Sequence, residues 1–118
     1  MEVRISKKFY KGVPEDFFKY CKKSFGNQTA KLIAKIMGNA QAAKDLSILV
    51  RPGFPGRWHW LTGIRKHQIS ADLLGLNRLI FIPIEETEIF MDLKGTGNLD
   101  NTKVRGLILI EIADTHDE

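Results

Sequence analysis

A chain of 118 residues, 43% hydrophobic and 27% charged, is sized for one globular domain, here residues 1–118, with a single core. No apolar run approaches the roughly 20 residues of a membrane span, and the N-terminus carries no apolar signal core, so no membrane partner is expected. The net charge of +4 divides unevenly: residues 1–78 hold 15 Lys/Arg against 5 Asp/Glu, whereas residues 79–118 hold 3 against 9. A basic body suits a polyanion partner, although Lys7, Lys8, Lys11, Lys19, Lys22 and Lys23 equally well solvate helix faces.

In MEVRIS, Val3 and Ile5 alternate with Glu2, Arg4 and Ser6, which predicts a short strand. After the Gly12-Val13-Pro14 break, Pro14 suits a first helical turn. Glu15 and Asp16 favour its positive end, and Lys22 and Lys23 its negative end. Phe18, Cys21 and Phe25 then share a face, and Gly26 stops the helix. Cys21 can form no internal disulfide, and its place in this apolar stripe predicts a buried, unreactive thiol and a reducing cytoplasm.

Asn27 is positioned to cap a second helix reaching about Ala43, with Ala30, Ile33, Ile36/Met37 and Ala40 as its apolar stripe. Leu46–Gly56 reads as a connector, because it contains Pro52, Gly53, Pro55 and Gly56. Strands are expected at Arg57–Thr62, Lys66–Asp72 and Arg78–Ile84. An acidic loop through Glu85, Glu86, Glu88 and Asp92 then leads to a strand at Lys103–Ala113. The short spacings make the middle strands an antiparallel meander. Leu79–Ile82 and Leu107–Ile110 are apolar at every position, as central strands covered by helices would be. The expected fold class is α+β: two N-terminal helices packed on a twisted, mainly antiparallel sheet of four to five strands.

Strand alternation then assigns neighbours to the polar residues. Ile108, Ile110, Ile112, Asp114 and His116 share a parity, so Asp114 and His116 emerge together if the last strand continues. A carboxylate there would orient the imidazole, and a frayed terminus is the alternative. Lys66, Gln68 and Ser70 form one strand face, opposite His67, Ile69 and Ala71. Arg78 shares parity with Ile80 and Ile82. His59 lies between Trp58 and Trp60, which are either core or a stacking platform. The outcome is a cluster of Arg57, His59, Arg65, Lys66, Arg78 and His116, combining phosphate-binding cations with two proton carriers. A Walker loop, a GxGxxG turn and zinc-ligand spacing are all missing from the sequence, and no cofactor or metal is expected.

The order R-x-H-x-L-x-G-x-R-K-x-Q at Arg57–Gln68, N-R-L-I-F at Asn77–Phe81, Lys103-Val104-Arg105 and a final I-x-D-x-H resembles the HigB toxins of the RelE/ParE toxin–antitoxin superfamily. The segment KSFGNQTAKLIAKIMGNAQAAKDL resembles that family's second helix, so the similarity spans nearly the whole chain. The resemblance implies the RelE-like microbial RNase fold. It also implies a small endoribonuclease acting on mRNA in the ribosomal A site and restrained by a HigA-like helix-turn-helix antitoxin. Carried over by position, it makes His59, Arg78, Asp114 and His116 catalytic and Arg65 and Lys66 an RNA-binding pair, beside Arg57, His67 and Gln68. Three positions depart from the usual pattern: Thr62 replaces a lysine, His67 a glycine and Thr115 a tyrosine. Two other readings remain open, a degenerate RNA-binding relative and a ParE-like binder of a protein such as gyrase.

Overall fold

The computed structural model describes residues 1–75, 77–84 and 100–114, Asp114 by its backbone alone. Strand β1 (Glu2–Ile5) leads through a 3₁₀ turn at Pro14–Asp16 into α1 (Phe17–Phe25), α2 (Asn27–Ala42) and a single-turn α3 (Leu46–Leu49). Strands β2 (His59–Trp60), β3 (Ile69–Asp72), β4 (Asn77–Pro83) and β5 (Gly106–Asp114) follow, with 3₁₀ turns at Gly63–Arg65 and Asn101–Lys103. They form one five-stranded sheet in the order β1-β5-β4-β3-β2. β2 to β5 are an antiparallel meander, and β1 adds a parallel edge against β5. This is an α+β fold, with the helices laid on one face of the sheet.

The main core unites Phe17, Cys21, Ala30, Ile33, Ile36 and Ala40 of the helices with Ile69, Ala71, Leu79, Phe81, Leu107 and Leu109 of the sheet. Helix α2 keeps the predicted stripe, and its Lys31 and Lys35 stay exposed. Helix α1 is rotated from the expected face. Phe17 is buried and Phe18 is 40% exposed, with the Lys22 ammonium 5.5 Å above its ring. Phe9 and Tyr10, from the β1–α1 connection, decide this by packing on Phe17 at ring separations of 6.3 and 5.2 Å. Spacings of three, four and seven residues describe either stripe equally well, and only the tertiary partner chooses between them. The 46–56 connector also contains more structure than expected. Asp45 caps α3 by accepting the Ser47 N–H at 2.9 Å, and Leu46 and Leu49 are buried.

Two predicted strands are shorter than their sequence signals. Arg57–Thr62 keeps only His59–Trp60, and Lys66–Asp72 only Ile69–Asp72. Thr62 leads instead into the Gly63–Arg65 turn, and His67 has φ 74°, a left-handed conformation that ends strand alternation. In β5 a register shift opposite Ile80/Phe81 inserts one residue: Ile80 pairs with Glu111 but Phe81 with Leu109. The bulge at Ile110 breaks the single parity expected for Ile108, Ile110 and Ile112. Ile112 faces the helices with Leu107 and Leu109, while Ile110 joins Leu61, Ile80 and Ala113 in a small cluster on the other face. No helix among the described residues is long and apolar enough to cross a membrane.

Candidate functional site

The face of the sheet turned away from the helices carries the polar residues, arranged in two rows by strand register. One row runs His59, Ser70, Ile80, Glu111 across β2 to β5, and the next runs Asp72, Arg78, Ala113. His59 and Arg78 therefore stand two strands and one row apart, a backbone separation of about 12 Å from sheet spacings.

His59 is half-buried and oriented by its own chain. Its Nδ1 lies 2.8 Å from the Arg57 carbonyl oxygen. A carbonyl only accepts, so this contact requires a proton on Nδ1 and leaves the Nε2 lone pair of the neutral ring as the base. The turn that supplies the carbonyl is unusual. Arg57 is a non-glycine residue at φ 47°, immediately after Gly56 at φ 102°. Asp72 N–H donates to the Gly56 carbonyl at 2.7 Å, and the Arg57 guanidinium pairs with the Asp72 carboxylate at 3.2 Å. A β-carbon at Gly56 would come within 3.0 Å of the Trp58 indole nitrogen, so the approach of this turn to β2 requires glycine. One strained residue thus fixes both the tautomer of His59 and the position of an exposed cation.

The other expected cations separate into different environments. Arg65 is only 14% exposed in its side chain and makes a two-pronged contact with Glu111, at 2.9 and 3.1 Å, and a third to Gln68 Oε1 at 3.1 Å. Its charge is largely engaged, and its evident work is to fasten the 63–68 turn onto β5. Lys66 is exposed after that turn, while His67 and Gln68 are half-buried, and the Gln68 carbonyl accepts Leu61 N–H at 2.9 Å. Arg78, expected at the rim, is 3% exposed, with Nη1 3.5 Å from Ser70 Oγ. It acts as a buried positive charge beneath the face rather than as an outward grip. The backbone of Asp114 lies opposite Asn77 at the end of β5. His116, Thr115 and the acidic 85–92 segment lie outside the described residues, so the Asp114–His116 pair has no geometry here.

No protein-family model, curated protein or solved structure matches this chain.

The tryptophans divide between two roles. Trp58 is core, stacked on Phe81 at 5.1 Å, and its indole N–H has no hydrogen-bond acceptor among the described residues. Trp60 is half-buried and donates its indole N–H to Asn101 Oδ1 at 2.7 Å, tying β2 to the turn before β5. Neither offers a free stacking platform. Cys21 is fully buried, and burial pushes its thiol up to about 11, which removes it as a nucleophile at neutral pH. Among the described residues no three His, Cys, Asp or Glu side chains gather as a metal-ligand set.

Sequence reasoning missed Asp72 and Glu111. Glu111 did leave a signal: it is a lone carboxylate within the apolar run LILIEIA. Its partner, 46 residues away in sequence, was not deducible without the register.

Proposed function

We propose that this chain is the toxin of a type II toxin–antitoxin pair, an endoribonuclease that cuts mRNA in the ribosomal A site of the cytoplasm and is silenced by a HigA-like helix-turn-helix antitoxin. The observation that supports this best is His59, whose Nε2 is left basic by the Arg57 carbonyl and which shares an open sheet face with Arg78. RNA carries its own nucleophile. His59 Nε2 takes the 2′-hydroxyl proton, the 2′-oxygen attacks phosphorus, and the 5′-oxygen leaves with a proton, giving a 2′,3′-cyclic phosphate. His116, oriented by Asp114, is the second member of the acid–base pair, and their roles exchange if the strand threads in the other direction. Arg78 stabilises the phosphorane charge from beneath the face, while Arg57 and Lys66 hold the flanking phosphates. General acid–base help contributes about 10²–10⁴-fold.

Induced expression in a bacterial host, with growth and message 5′ ends followed together, tests the reading. Growth arrest with new cuts inside translated codons is expected, together with loss of both for His59→Gln/His116→Gln. Cutting by that double variant at the wild-type rate would refute the mechanism. Arrest without cuts would shift the reading to a ParE-like inhibitor of a protein. Thr62 and Thr115 prompt a second reading, an RNA-binding relative without cleavage, which RNA binding without arrest would select.

A further inference from the structure

A second cationic site lies at the other end of the sheet. The Asp45 carboxylate accepts both the backbone N–H and the hydroxyl of Ser47, and Leu46 N–H donates to the Val104 carbonyl at 3.0 Å. Leu46, Leu49 and Val104 are buried together, so α3 is locked against the segment that enters β5. This seam determines where three exposed cations emerge: Lys44 before α3, Arg51 after it and Arg105 immediately before β5. With Asp45, Ser47 and Thr102 they line an open groove of about 370 Å³.

The chemistry of the groove narrows its ligand. Lys44, Arg51 and Arg105 have no ion-pair partner among the described residues, whereas Arg57 and Arg65 are paired. Three cations line the groove with the Asp45 carboxylate, and the Asp100 carboxylate stands beside it on Thr102, so cations remain in excess. The Ser47 hydroxyl is committed to Asp45 and the Thr102 hydroxyl to Asp100 at 2.6 Å, so charge must do the holding. A small phosphate needs enclosing donors, and this groove is open, with cations arriving from separate segments. Among the described residues no aromatic ring lines it, so bases have nothing to stack on. Such a surface suits a chain of phosphates read without regard to sequence.

We propose that this groove docks the backbone phosphates of a nucleic-acid strand, apart from the His59 face. Arg105 lies six residues before Glu111 of the His59 row, roughly 20 Å along the strand, so the two sites are distinct. The proposal goes beyond the cleavage reading and needs no chemistry at His59.

The test is fluorescence anisotropy of a labelled 2′-O-methyl oligouridine, which resists 2′-hydroxyl attack, titrated with the full chain at several salt concentrations. K44Q/R51Q/R105Q is expected to raise Kd at least about tenfold at low salt and to reduce the log–log salt slope by about 2, from 0.7 per contact. The control K7Q/K8Q/K11Q removes the same charge from exposed positions elsewhere and is expected to change Kd by less than about threefold. Equal losses in the two variants, an unchanged slope, or no binding by the wild type would overturn the proposal. So would displacement of the oligonucleotide by inorganic phosphate at matched phosphate concentration, which would mark a small-anion site. Failure of cleavage in cells with oligonucleotide binding intact would sink the toxin reading alone.

Discussion

The two faces of this sheet are made from the same strands and obey different rules. On the helix side, Ile69, Ala71, Leu79, Phe81, Leu107 and Leu109 close against α1 and α2 as one apolar surface. On the other side, a small apolar patch of Leu61, Ile80 and Ala113 is surrounded by His59, Ser70, Asp72, Arg78 and Glu111. The first face is held by area removed from water, which is non-directional and tolerant of detail. The second is held by pairs whose geometry matters and whose loss exposes a partner. Stability should therefore reside on one face and positional precision on the other.

The sharpest way to break that contrast is Phe81→Ala. Phe81 is fully buried and stacked on Trp58, so its truncation is expected to cost about 3–5 kcal/mol by urea denaturation. A loss under about 1 kcal/mol would mean that the helix layer does not carry the fold.

Next in size is Glu111→Ala, which leaves the Arg65 guanidinium without its two-pronged partner at 14% side-chain exposure. Because Glu111 itself is 41% exposed, solvent takes up part of the loss, and about 1–2 kcal/mol is expected. A double-mutant cycle with Arg65→Ala should return a coupling of about 0.5–1 kcal/mol. Zero coupling would remove the argument that Arg65 fastens the 63–68 turn rather than waiting for RNA. A gain in RNA affinity for Glu111→Ala would show that the pair also holds that cation back.

The architecture was legible wherever the apolar pattern had only one solution. Residues 79–82 and 107–110, apolar at every position, became the central strands, and α2 buries the predicted stripe. The pattern failed where a single backbone conformation interrupted a period. The bulge at Ile110 shifted the phase of β5, so the parity linking Ile108 to Ile112 did not survive. The left-handed His67 turned half a predicted strand into a turn. Side-chain alternation did group His59 with Leu61 and Arg78 with Ile80. It could not show that Arg78 is buried or that Arg65 has a carboxylate partner, because both follow from contacts distant in sequence.

His67 offers a smaller and more local test. At φ 74° a β-branched side chain is strongly disfavoured, so His67→Val is expected to lose about 1–2 kcal/mol, while His67→Gly should stay within about 1 kcal/mol of wild type. Matching thermal melts for the two variants would mean that the turn relaxes. In that case the strand could extend back toward Lys66, as the alternation of the sequence proposes.

The smallest effect belongs to the helix face and appears only in alkali. Burial raises the Cys21 thiol to about 11 from its ordinary value near 9, because the neutral form is the one the core accepts. A folded-state value above the unfolded one means that the native chain holds its proton more tightly. That stability is fully present below about pH 9 and is lost as pH rises toward 11. Urea midpoints taken from pH 8 to pH 10.5 should fall for the wild type with a component that Cys21→Ala removes, even though the variant starts from a lower midpoint. At pH 8 the native thiol should react with a disulfide reagent far more slowly than the urea-unfolded chain. Rapid native labelling would place Cys21 at a surface, and the division between an apolar, chemically silent face and a polar, working one would no longer hold for α1.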